Sequence, residues 1–242
     1  MLDADVFWKV YDDLAGSRLD ESRWTVREAP GPDGEIVRRT EPTAVWTYGS
    51  EGMRARVPRF TRFHDTDQGA DHGKIVILST KTFPVLSHGT LIIRADMAVQ
   101  KLGGSADDFL DGMGSVNVVD PDTGLIMDIV STGTKVGAIY EKSPYDSQGA
   151  FAYVIDSPLH APIVEPGQWH RACVIIDAAR RTAHWVVDDV EIFAARDLPI
   201  IPTRVLIGMG ALTVRRLRDN RSTSLRGQGL DVRWKDITVG TR

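Results

Sequence analysis

The strongest constraint on this chain is the period of its apolar residues, close to two almost throughout and broken into short runs by Gly, Pro, Asp and Asn. Successive side chains of a strand point to opposite faces, so this alternation specifies half-buried strands rather than helices. Residues 44–48, 74–83, 89–100, 114–120, 125–131, 135–142, 151–156, 170–177, 182–193, 204–212 and 230–239 read as strands, rich in β-branched and aromatic residues. Turn-forming residues predict hairpins at DPDTG, between Val119 and Leu125, and at DAARRT, between Ile176 and Ala183. Helical turns are expected only in DVFWKVYDDL near the start and in SADDFLDG at 105–112, where Ser105 would be the N-cap. Regular short strands without an internal repeat or a linker predict an all-β sandwich or jelly roll of two antiparallel sheets, one domain over residues 1–242.

Charge narrows the partners. The formal net charge of -4 offers no basic field to a nucleic-acid backbone or an anionic membrane, and no apolar run reaches the roughly 18 residues of a membrane span. Cys173, the single cysteine, has no internal disulfide partner, which fits a reducing compartment. The acidic start MLDADVFWKVYDDLAG lacks the basic and apolar regions of a signal peptide, so the expectation is a cytoplasmic protein.

Three phrases carry a family resemblance. VYDDLAGSRLDESRW is similar to the first strand and turn of many concanavalin-A-like jelly rolls, where an acidic-Gly-Leu-Asp-x-x-x-Trp phrase begins the domain. WHRACVIIDAARRTAHWVVDDVEIF resembles the late hairpin of that superfamily, with Asp189 where a Gly is usual, and GLDVRWKDITV resembles its closing strand. The middle, NVVDPDTGLIMDIVSTGTKVGAIYEK, resembles an uncharacterised bacterial family within the fold. The resemblance implies a concanavalin-A-like β-sandwich and no particular activity.

Laminarinase-type hydrolases of that fold carry a Glu-x-Asp-x-x-Glu or Glu-x-Asp-x-Glu signature on one strand of the concave face. Retaining cleavage needs two carboxyl groups about 5–5.5 Å apart. If Asp128 stands at the central Asp, Ile126 and Val130 or Ser131 occupy the flanking positions without a carboxylate, so glycoside hydrolysis by that mechanism is not expected. Glu141, thirteen residues on, comes near Asp128 across a hairpin only if its side chain takes the same face, and a strand-end surface residue is the alternative.

LIMDIVS is apolar on both parities, Leu125, Met127 and Ile129 against Ile126, Asp128 and Val130. A two-sided apolar strand is either covered by a loop or lines an apolar cleft, and both readings stay open here. Trp46, Tyr48, Ile126, Met127, Tyr140, Tyr153 and Trp185 are the candidate ligand-binding residues, and Asp128, His184 and Glu141 the candidate acid–base groups. His64 and His72 bracket Asp65, Asp67 and Asp71 in FHDTDQGADHGK, but the spacing lacks an EF-hand pattern, so a solvated loop and no metal site is the expectation. The arginine-rich stretch 214–229 reads as a solvated loop. No phosphate loop, dinucleotide fingerprint, nucleophile elbow or Cys-x-x-Cys is present, and no cofactor is expected.

Three function classes follow. The first is a binding protein or cofactor-independent cyclase, isomerase or lyase for a largely apolar small molecule in a concave-face cleft. The second is a non-catalytic, lectin-like carbohydrate-binding module, and the third a structural or oligomerising sandwich. Fold alone does not choose among them.

Overall fold

The computed structural model describes residues 5–30, 34–67, 70–142, 149–215, 217–218, 221–222 and 228–242. Two large antiparallel sheets pack face to face, the sandwich that the alternation requires. In the first sheet the order is β17 (Val190–Ala195), β16 (Thr182–Val187), β15 (Trp169–Asp177), β10 (Thr90–Lys101), β21 (Leu230–Thr241), β6 (Gly52–Val57) and β5 (Val45–Gly49), with β1 (Phe7–Asp12) also on β21. In the second it is β14 (Phe151–Ile155), β13 (Val136–Lys142), β12 (Leu125–Ser131), β11 (Met113–Val119), β18 (Arg204–Thr213), β8 (Ala70–Ser79) and β2 (Trp24–Val26). Short strands β7 (Asp65–Asp67) and β9 (Phe83–Pro84) join the second sheet on β8 and β18. Two small ribbons, β3 (Glu28–Pro30) with β4 (Ile36–Arg38) and β19 (Leu217–Arg218) with β20 (Arg221–Ser222), stand apart.

Parity assigns each side chain to the core or to an outer face. Leu91, Ile93, Ala95, Met97 and Val99 of β10 face Val116 and Val118 of β11 and Leu125, Met127 and Ile129 of β12 in one buried cluster. Burying such side chains stabilises the sandwich by about 1.5–3 kcal/mol each before entropy is counted. Trp234 is fully buried and donates its indole N–H across the core to the Ser115 carbonyl at 3.0 Å, so one side chain ties the two sheets together. The sheets approach closely at Gly114, where an added Cβ would sit 2.7 Å from Val232 and 2.8 Å from Val99.

The hairpins at DPDTG and DAARRT are present, and the strand read at 125–131 has those bounds. Three expectations need correction. Residues 7–12 of DVFWKVYDDL form β1, because Phe7–Asp12 pair with the end of β21, and SADDFLDG forms turns instead of helix. The run 182–193 is two strands folded at Asp188 and Asp189, which adopt φ of 48° and 64°. Positive φ at both central residues is what a two-residue type I′ loop demands, so Asp189 accepts a backbone conformation that Gly takes without strain. Strand β6 escaped the sequence reading: Met53, Ala55 and Val57 are buried, but Met and Ala are weak strand signals between Arg54 and Arg56.

Candidate functional site

Strand pairing places the polar residues of the second sheet's outer face next to one another. Since Met127 and Ile129 enter the core, Asp128 points outward; its cross-strand partners are Asn117 on β11 and Ile139 on β13. Asn117 donates from Nδ2 to Asp128 Oδ2 at 2.6 Å, and the Ser115 hydroxyl donates to Asn117 Oδ1 at 3.2 Å. Beside this row lie Gly208 and Gly210 of β18, whose missing Cβ atoms leave room into which Leu78, Asn117 and Ser115 lean. Asp128 Oδ1 is buried and has no hydrogen-bond partner among the described residues.

Burial, and then the nearby charge of Glu141, push the Asp128 carboxyl well above the usual carboxylate range. Oδ2 accepts from Asn117, so Oδ1 is the oxygen left for another partner. Glu141 pairs directly with Ile126 and lies two residues along β13 from Ile139, so it is the diagonal neighbour of Asp128 on the same face. The direction of Glu141, open in the sequence, is therefore fixed toward Asp128. Ile126, Ile139 and Glu141 are half-buried and Val154 is exposed, which makes them the accessible border of the Asp128 site.

The other end of this face is covered. Phe109, from the turn segment once read as helical, packs with Met113 and Val130, and Ile139, Leu212 and Val214 close around them. Gly137 lies beneath it: an added Cβ would be 3.2 Å from the Phe109 ring and 2.6 Å from the Ile155 carbonyl oxygen. The two-sided apolarity of β12 thus has a loop over Val130 and a half-open surface at Ile126.

The remaining candidates do not join this face. Met127, Tyr140 and Trp185 are at most 4% exposed and belong to the core, so assigning them to an outer cleft is corrected. Tyr140 does gather others: its ring stacks on exposed Tyr153 at 6.1 Å and meets Trp185 edge-on at 5.6 Å, an aromatic nest at the β13–β14 edge. Burial pushes the Tyr140 hydroxyl up to about 12. Trp46 and Tyr48 pack against the core from β5, the far edge of the first sheet. His184 sits on the first sheet's outer face, its Nδ1 2.7 Å from Glu191 Oε2 and its Nε2 3.2 Å from Thr182 Oγ1. With the core between them, His184 and Asp128 cannot act on the same atom.

The histidine loop also resolves in part. His64 is fully buried, its Nε2 3.0 Å from the Thr40 carbonyl and its Nδ1 accepting from the Lys74 amide at 3.0 Å, so both nitrogens are spent on backbone. The side chains of Asp65, Asp67 and Asp71, and most of the arginine-rich loop, lie outside the described residues. Among the described residues, no group of three or more His, Cys, Asp or Glu side chains is arranged to hold a metal ion.

The sequence reading missed Ser115 and Asn117. Their signal was available: in GSVNVVD they alternate with valines, and counting back from the DPDTG turn pairs Asn117 with Asp128.

The fold has many relatives of low identity. An endo-1,3-β-glucanase from Streptomyces sioyaensis superposes with a TM-score of 0.60 at 11% identity, over 97% of this chain and 95% of that one. A Bacillus licheniformis β-glucanase gives 0.54 at 15% over 99% of both chains, and the carbohydrate recognition domain of Emp47p gives 0.52 at 12% over 96% and 93%. These likenesses establish the concanavalin-A-like jelly roll and nothing about chemistry. No curated protein matches the sequence. The chain belongs to the family of unknown function DUF6081, whose model matches residues 5–242.

Proposed function

We propose that this protein binds a small molecule on the outer face of the nine-stranded sheet, with an apolar portion against Ile126, Ile139 and Val154 and a hydrogen-bond acceptor meeting Asp128. The observation that supports it is the buried Asp128 Oδ1, without a hydrogen-bond partner among the described residues and on the same sheet face as Glu141. Two neighbouring carboxyl groups, one of them with its pKa raised by burial, form a pattern that serves acid–base chemistry without a cofactor. In a cyclase, isomerase or lyase, Asp128 would deliver its proton to a developing oxyanion and Glu141 would take one from carbon.

A second reading is carbohydrate binding, favoured by the glucanases and the carbohydrate recognition domain among the structural relatives. Thermal scanning against a panel of hydrophobic carbonyl compounds and a panel of oligosaccharides separates the two. Stabilisation by the carbonyl compounds, lost in Asp128→Leu with the fold retained, is expected. Stabilisation by oligosaccharides alone would replace the apolar reading with the lectin-like one.

A further inference from the structure

A separate polar cavity lies in the first sheet, where the start of β15, the middle of β10 and the β16–β17 turn meet. It has a volume of about 260 Å³ and is lined by Asp96, Trp169, His170, Arg171, Asp188 and Asp189. Asp188 is committed to building it: Oδ2 accepts from His170 Nδ1 at 2.6 Å and Oδ1 accepts from the Arg171 amide at 2.8 Å. A carboxylate only accepts, so Nδ1 carries a proton, and His170 Nε2, buried and without a partner among the described residues, is left unspent.

Trp169 is held in place by two cations on its ring, with Arg233 Cζ 4.9 Å and Lys235 Nζ 4.7 Å from the centroid. Asp96 faces Arg171, Nε to Oδ1 at 3.5 Å, and is paired across the sheet with Lys235. Burial raises the Asp96 carboxyl above its usual range against the pull of Arg171.

Charges around the cavity nearly balance: Asp96, Asp188, Asp189 and Asp236 stand against Arg171, Arg233 and Lys235. Such a site has no strong field for an ion of either sign. It offers instead carboxylate acceptors, a guanidinium donor fork and an indole edge in a volume below the roughly 300 Å³ where drug-sized pockets begin. We infer that this cavity is a second ligand site, for a neutral, hydroxyl-rich molecule the size of one sugar ring, with Asp96 and Arg171 bonding its hydroxyls and the edge of Trp169 closing one side. The site is independent of Asp128, on the other sheet.

The test is a ¹⁵N NMR titration of the full chain with methyl glucoside, methyl galactoside and methyl mannoside, with the Trp169 indole N–H assigned through Trp169→Phe. Saturable shifts at that indole and at residues 94–97, 169–171 and 187–190 are expected with at least one glycoside. Arg171→Met, at an exposed side chain, should weaken them at least tenfold without loss of spectral dispersion. No saturable shift with any of the glycosides would overturn the inference, as would saturation by tetramethylammonium in their place. Shifts confined to residues 115–119, 126–130 and 139–141 would also overturn it, and would place sugar on the Asp128 face instead.

Discussion

His64 gives the chain a defined weakness toward acid. Its imidazole is fully buried and carries one proton, on Nε2 toward Thr40, because Nδ1 accepts from Lys74. Burial, assisted by the positive charges of Arg39, Arg62 and Lys74, lowers its pKa to about 4. An unfolded histidine titrates near 6.5. Between those values the unfolded chain binds the proton and the folded chain does not, so stability is intact above pH 6.5 and falls as pH drops toward 4. Linkage puts the loss at roughly 1 kcal/mol by pH 5.5 and roughly 3 kcal/mol at the limit. Asp128, whose folded pKa is raised, contributes in the opposite sense: its stability is present at low pH and lost as pH rises through the folded value. Total stability therefore mixes the two, and the His64 contribution must be read as a difference against a variant. His64→Gln retains a donor toward Thr40 but gives up the ring acceptor, which costs about 1–2 kcal/mol at pH 8. Urea titrations of both proteins at pH 8, 5.5 and 4.5 should show the wild-type advantage shrinking and vanishing between about pH 6 and pH 5. Stability curves that stay parallel over that range would refute the assignment of a neutral, buried imidazole.

Two further perturbations test the placement of residues around the site. Met127→Asp puts a carboxylate in the core at a side chain 1% exposed, so it should cost several kcal/mol and leave little folded protein, while half-buried Ile126→Asp should cost about 1 kcal/mol and keep the native circular-dichroism spectrum. Equal damage from both would mean that the parity of β12 is wrong. Asp189→Gly relieves a φ of 64° in the β16–β17 loop and should stabilise by about 0.5–1 kcal/mol, a rise in Tm of roughly 2 °C in a scan; a fall in Tm would show that the Asp189 side chain contributes more than its backbone costs.

Strand positions were legible because alternation is a local property, and LIMDIVS kept its bounds through to the folded chain. What failed was local in another way. SADDFLDG has an N-cap signal in Ser105, yet its polar groups go elsewhere: Arg215 binds both Asp108 and Asp111, and Asp111 accepts from the Ser105 amide at 2.8 Å. Those contacts hold the segment in turns over Val130 and Gly137, and they depend on an arginine more than a hundred residues away. Competing side-chain bonds of this kind are invisible to propensity.

The site was partly legible for a related reason. In a strand apolar on both parities, an aromatic or aliphatic residue gives no sign of which face it takes, so Tyr140 and Trp185 looked as fit for a cleft as for the core that they fill. A polar residue in such a run is different, because burying it carries a cost that the fold must meet with a partner or a change of protonation. Asp128 shows both responses, a bond from Asn117 on one oxygen and a raised pKa of the carboxyl group, and it identifies its own face of the sheet. His170 follows the same logic, with Asp188 satisfying one nitrogen and leaving the second unspent. In a sandwich this apolar, half-satisfied polar groups are therefore better pointers to ligand sites than apolar burial alone, and the buried Tyr140 hydroxyl and Trp185 indole N–H, unpartnered among the described residues, belong with them.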